Sequence, residues 1–192
     1  MSDLPPSPAG AEVGYRITFL EMTARPSYDW PSLPVDAEPA ALICAEAPPV
    51  WYFRALYDAV GRDHAWEDMN AEPDGMVERW LADPAVRLWT LSRGGWPQGF
   101  FVLDATDAEA TELSYLGLVP QAVGRGYGRY LVRTAVLTAW ERTGMQRLRV
   151  NTCSLDHPRA LSVYQQSGFE VVRAEERTRV LGRDLDPGRW AP

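Results

Sequence analysis

Three glycines at alternate positions, Gly124, Gly126 and Gly128, separate an apolar run from an amphipathic one. In the run before them, Leu113, Tyr115, Leu116, Leu118 and Val119 supply the side chains of a buried strand. Pro120 ends that strand, because proline has no N–H to give to a ladder. In the run after them, Leu131, Val132, Ala135, Val136 and Ala139 fall on one helical face, while Arg129, Arg133 and Arg142 lie away from its centre. Gly144 supplies a C-terminal stop. A strand, a glycine-rich loop and a helix in that order form an anion site. Free N–H groups and the positive end of the helix dipole both favour negative charge, and glycine lets the backbone come close to it.

Three kinds of anion compete for such a site. A dinucleotide fingerprint needs G-x-G-x-x-G, which the glycine spacing does not give, and a nucleotide phosphate loop needs Gly-Lys-Ser/Thr, whereas the chain has no lysine. The third is the pyrophosphate arm of an acyl-coenzyme A. A tight strand-to-helix turn with no ligand also satisfies G-R-G-Y-G taken alone.

Two motifs together carry a family resemblance. V-G-R-G-Y-G, residues 123 to 128, resembles the coenzyme A loop of the GNAT superfamily of N-acetyltransferases, Arg/Gln-x-x-Gly-x-Gly/Ala, with Val123 departing at the first position. Gln121-x-x-Gly124-x-Gly126 is a second frame for the same pattern. D-H-P-R-A-L-S-V-Y-Q-Q-S-G-F, residues 156 to 169, is similar to the later motif Asn-x-x-Ala-x-x-x-Tyr-x-x-x-Gly-Phe. There His157 replaces asparagine, and Ala160, Tyr164, Gly168 and Phe169 match. The resemblance covers roughly residues 75 to 180. W-Y-F-R-A-L-Y (Trp51 to Tyr57) and N-T-C-S-L-D-H-P (Asn151 to Pro158) resemble a smaller acetyltransferase subgroup.

The resemblance implies transfer of an acetyl group from acetyl-coenzyme A directly to a primary amine, with no metal. A module that binds acyl-coenzyme A without catalysis is the alternative. Leu118, Val119, Gly124, Arg125, Gly126, Tyr127, Gly128, Arg129 and His157 are then the cofactor-binding positions. Main-chain N–H groups serve the pyrophosphate, and one near Leu118 serves the oxyanion. An amine of pKa roughly 10 is protonated at neutral pH and cannot attack until something takes its proton. Glu112, at the offset of the catalytic glutamate in GNAT histone acetyltransferases, is the candidate base. Tyr164, at the family's tyrosine position, is the candidate proton donor to the departing thiolate. Trp51, Tyr52, Tyr57, Trp66 and Tyr115, with Asp63, Glu67 and Asp68, are candidates for the acceptor pocket, since aromatics with carboxylates suit a cation. Cys153 has no Cys-His-acid arrangement that would make it a nucleophile.

The 192 residues, 46% hydrophobic and 23% charged, suit one domain with a full core. A net charge of −7 argues against nucleic acid as a partner. All 19 basic residues are arginine. Two cysteines and two histidines at these spacings do not make a zinc site. The N-terminal residues lack the basic and apolar regions of a signal peptide, and no apolar run is long enough to span a membrane, so a cytoplasmic enzyme is expected. A homodimer is compatible with the sequence.

The elements that must position this chemistry are a strand at Tyr15–Thr23, helices over Pro49–Gly61 and Pro73–Ala82 (Met76, Trp80 and Leu81 inward), and a polar loop between them. Strands at Val86–Ser92 and Gln98–Leu103 precede the central unit. A strand at Arg147–Cys153, a helix at Pro158–Gln166 and a strand at Phe169–Arg179 follow it. This predicts an α+β fold with a mixed, mostly antiparallel sheet, a central parallel β-loop-α-β unit and helices on both faces. Residues 1–12 are expected to form a flexible arm, 13–180 a single acetyltransferase domain and 181–192 a polar tail.

Overall fold

The structure, a computed structural model, describes residues 6–34 and 39–186. Its strands are β1 (Glu12–Met22), β2 (Ala40–Cys44), β3 (Val86–Arg93), β4 (Trp96–Asp104), β5 (Ala110–Leu118), β6 (Arg147–Cys153) and β7 (Glu170–Val180). Its helices are α1 (Val50–Gly61), α2 (Asp68–Ala71), α3 (Asp74–Ala82), α4 (Tyr127–Trp140) and α5 (Ala160–Gln166), with short 3-10 turns at Arg62–His64 and Pro120–Ala122. The strands form one sheet in the order β2-β3-β4-β5-β6-β1-β7. Every neighbouring pair is antiparallel except β5 with β6. The α+β class and the central parallel unit are as the sequence predicts. β2 is an edge strand, paired with β3.

The sheet separates two helical layers. Phe100 packs edge-on to Phe53 of α1, and Tyr52 of α1 donates a hydrogen bond to Thr90, so Thr90, Phe100 and Val102 face α1 and α3. The alternate positions Phe101, Leu103, Leu113 and Leu118 face the other way, toward α4. From α4, Leu131, Val132, Ala135, Val136, Leu137 and Ala139 are buried, the leucines and valines each worth ~1.5–3 kcal/mol on leaving water. In α3, Val77 and Leu81 point inward, whereas Met76 is half exposed, because the helix is set one residue round from the sequence expectation.

One irregularity re-aims a strand. Val102 pairs with Tyr115 but Leu103 pairs with Leu113, so Ser114 is an extra residue on β5. The bulge turns Tyr115 onto the face of Glu112, toward α1 and α3, where strict alternation would have left it beside Leu113.

Toward the two ends of the described residues, the segments before β1 and after β7 pair with each other. Ser7 and Leu185 form a bridge, the Gly10 N–H donates to the Leu181 carbonyl, and the Ala9 N–H donates to Asp184. Leu181 and Leu185 are buried in a small second cluster with Val13, Ala65 and Leu155. Residues 1–5 and 187–192 lie outside the described residues. Truncating a buried leucine costs ~2–5 kcal/mol, so Leu181→Ala should lower the thermal midpoint by about 4 °C or more. A change within about 1 °C would mean that this segment contributes nothing to the fold.

Candidate active site

β5 and β6 pair only at Ala110–Glu112 with Arg147–Arg149, and beyond that point they part. β6 stays bound to β1 along Ile17–Met22, and β5 stays bound to β4 to its end. The gap is therefore held open from both sides. Val119 donates its N–H to Gln98 of β4. Successive N–H groups of a strand point to opposite edges, so that of Leu118 faces the gap.

One cavity, of about 400 Å³, lies on the α4 side of the gap. Leu116, Gly117 and Leu118 wall it from β5, Gly124 and Gly126 from the loop, Gly128 from the first turn of α4, and His157, Ala160, Val163 and Tyr164 from α5 and the turn before it. Gly124 and Gly126 have φ of +84° and +82°, a conformation that side chains strain to adopt. Nothing lies within 4 Å of where a Gly124 Cβ would be, so the loop's outer surface is open. Tyr130 is the residue whose N–H closes the first turn of α4, onto the Gly126 carbonyl, and the N–H groups before it have no acceptor within the helix. This loop thus presents the donors and dipole an anion needs. Arg125 and Arg129 are exposed beside it, whereas Val119 and the Tyr127 side chain are buried in the core and line neither cavity, which leaves them only their backbone groups to offer this surface.

The second cavity, of about 570 Å³, lies on the α1 and α3 side. Its floor is the Tyr115 ring, with Tyr57 at 5.3 Å, Trp66 at 5.7 Å and Trp80 at 6.1 Å between centroids. Asp68, Glu72, Glu112 and Asp156 bring carboxylates to it, and Arg179 is the cation in its wall. Arg179 is already engaged by Glu67 at 3.5 Å and Asp68 at 3.3 Å. The cavity is aromatic and acidic.

His64, Trp66, Ser114, Tyr115, Asn151 and Asp156 line both cavities and so form the seam where they meet. Asp156 ties this seam together. It accepts from the Trp66 indole N–H at 3.0 Å on one oxygen, and from the Thr152 hydroxyl and the Cys153 N–H, both at 2.8 Å, on the other. A carboxylate so engaged is an anchor. The sequence alone gives no role to His64 or Ser114, each one polar residue with no spacing signal of its own, and it presents Asn151 and Asp156 only as members of motifs, with no role attached.

Of the sequence candidates, Tyr57, Trp66, Tyr115, Asp68 and Glu112 meet at the second cavity, and Leu118, Gly124, Gly126, Gly128, His157 and Tyr164 at the first. Trp51 and Tyr52 join neither. Trp51 is 70% exposed in a groove on the outer side of α1, and Tyr52 is turned to Thr90. Asp63 and Glu67 also line neither cavity.

Burial, reinforced by the Asp156 charge, pushes the Tyr164 phenol above its ordinary range, so it keeps its proton through neutral pH. Burial, again with Asp156, pushes the Cys153 thiol up to about 12, which leaves it unreactive. Desolvation, then Arg159, lowers His157; its Nδ1 accepts the Arg159 N–H at 3.1 Å and organises the turn into α5. Glu112 reaches solvent at the rim, yet desolvation and the facing Asp104 charge raise its carboxyl against the pull of Arg149.

The fold and the paired cavities define a class: an α+β domain whose sheet parts between two cavities, one walled by the glycine loop and the other aromatic and acidic. The Acetyltransferase (GNAT) family model matches residues 51–169, and the chain belongs to that family. No curated protein matches its sequence. Among solved structures it is similar to a GCN5-related N-acetyltransferase from Sphaerobacter thermophilus, at TM-score 0.59 and 17% identity over 95% of this chain and 55% of that one. It is similar to a GCN5-related N-acetyltransferase from Kribbella flavida at TM-score 0.55 and 19% identity, over 91% of this chain and 61% of that one. A GNAT family acetyltransferase from Elizabethkingia anophelis, with acetyl-CoA bound, matches at TM-score 0.51 and 18% identity over 70% of this chain and 78% of that one. At these identities the likeness is one of fold, and this chain spans less than two thirds of the first two proteins. No helix among the described residues is long and apolar enough to cross a membrane.

The raised Glu112 carboxyl has a consequence for stability. The native state binds its proton more tightly than the unfolded chain does, so stability falls as pH rises from the unfolded value to the folded one and stays at that lower level above it. Glu112→Gln, which removes the charge, should therefore raise the thermal midpoint at pH 7 and lose that advantage in acid below the ordinary glutamate range. A midpoint lowered at pH 7 and unchanged in acid would show instead that the Arg149 attraction prevails.

Proposed function

We propose that this protein transfers an acetyl group from acetyl-coenzyme A directly to the primary amine of a cationic acceptor. The observation that carries the reading is the meeting of two chemically opposite cavities at the parting of β5 and β6. The donor's pyrophosphate would sit on the N–H groups of residues 124–129, and its thioester would reach the gap beside Leu118. The amine would enter over the Tyr115 floor, drawn by the surrounding carboxylates.

The amine first loses a proton. Glu112 lines the acceptor cavity but not the seam, so the path to it runs through water. The amine nitrogen then attacks the thioester carbonyl carbon. A C–N bond forms, and the carbonyl electron pair moves to oxygen, opposite the Leu118 N–H. Collapse breaks the C–S bond. The sulfur leaves as a thiolate and takes a proton, while nitrogen gives up its second proton to become the amide. Amine and thioester in, amide and thiol out, balances without a redox partner. With its phenol held above the ordinary range, Tyr164 does most for the thiolate by donating a hydrogen bond as negative charge grows. Complete transfer from so weak an acid to a thiolate would run uphill.

Gly126→Asp should abolish acetyl-coenzyme A binding in calorimetry. It puts a side chain at φ +82°, 3.4 Å from Pro34, and a negative charge where phosphate would lie. Undiminished binding would remove the loop from the donor site. Tyr164→Phe should lower turnover by roughly tenfold to a thousandfold with little change in donor affinity. An unchanged rate with chemistry limiting would return Tyr164 to a purely structural place against Phe169.

A further inference from the structure

We infer that Trp66 fixes the length of the acyl group this protein accepts, restricting it to short chains; this rests on the acyl-coenzyme A reading of the cleft. Trp66 touches three separate parts of the fold. Behind it is the end of α1, where a Cβ on Gly61 would lie 2.4 Å from the Trp66 Cβ, so the residue has no room to retreat. Its indole N–H is held at 3.0 Å by Asp156 from the β6–α5 turn. Its Cη2 stands 3.7 Å from where a Cβ on Gly117 would be, one residue before Leu118. The ring therefore crosses from α1 to β5 and to the far side of the gap, and it belongs to the wall of both cavities.

The direction of the acyl tail follows from the substituents of the thioester carbon. Its oxygen faces the Leu118 N–H, and its sulfur lies toward Tyr164 on the donor side. The tail is the remaining substituent, and it points along the seam to the indole. A methyl group fits in front of a ring so placed. A chain of several methylenes must displace the indole, which Gly61 backs and Asp156 holds. An adaptable residue such as methionine would yield there; a tryptophan pinned at three points does not.

Calorimetry with coenzyme A, acetyl-coenzyme A and hexanoyl-coenzyme A tests this without knowledge of the acceptor. The unmodified protein should bind the acetyl form and bind the hexanoyl form at least about tenfold more weakly, the scale on which methylenes are discriminated in a closed pocket. Trp66→Ala should bring the two within about threefold of each other by freeing the ring's volume. Trp66→Leu, which keeps an apolar body against Gly61, should act in the same direction and serves if the alanine variant does not fold. Equal affinity for acetyl and hexanoyl forms in the unmodified protein would overturn the inference. So would a folded variant that still rejects the hexanoyl form. Failure of the unmodified protein to bind any of the three would instead overturn the donor reading itself.

Discussion

The parting of β5 and β6 is the constraint on which the rest of the site depends. Two parallel strands that pair at Ala110–Glu112 would ordinarily continue to pair. Here each is claimed by its outer neighbour, β4 or β1, and the Ser114 bulge changes the direction of β5 just past the last pair. The cost is a row of backbone groups on each strand left without a ladder partner. The same row is what can bind a carbonyl oxygen and an extended ligand. Asp156 and Trp66 bridge the opening near its middle and keep it from being a simple slot.

Electrostatics then give the two faces different tasks. The α4 side offers a helix N-terminus, glycine N–H groups and two exposed arginines. The α1 and α3 side offers carboxylates around aromatic rings, with its arginine already engaged. The chain's net charge of −7 is thus locally reversed at the glycine loop. A negative donor and a positive acceptor would each be steered to its own entrance.

Much of this was legible in the sequence, and the exceptions have physical causes. The glycine loop and α4 were readable because spacing and helical periodicity are local. Tyr115 was legible as part of a strand but not for the face it presents, since one bulge at Ser114 inverts the parity of everything after it. Trp51 and Trp66 look alike as aromatic residues near α1. Their opposite fates depend on helix rotation, on the contact of Trp66 with nearby Gly61, and on its contacts with Gly117 and Asp156, which lie far away in the chain. Asp156 stands in a sequence motif, but its role was not legible, because it depends on three hydrogen bonds to it that only the folded turn assembles. The placement of β1 between β6 and β7, and the burial of Leu181 and Leu185, are long-range pairings that no local pattern encodes.

The central claim is that an acyl donor on one face meets a cationic amine on the other. Its most direct test is thiol release from acetyl-coenzyme A, with mass spectrometry of the product, using tyramine and tyrosine as acceptors. The two share a ring and a primary amine and differ by a carboxylate. The acidic, aromatic cavity predicts N-acetylation of tyramine, with kcat/KM at least about tenfold above that for tyrosine, because a like charge facing the cavity's carboxylates is disfavoured. Equal use of the two, a preference for tyrosine, or no acetylated amine from a protein that binds acetyl-coenzyme A would contradict it.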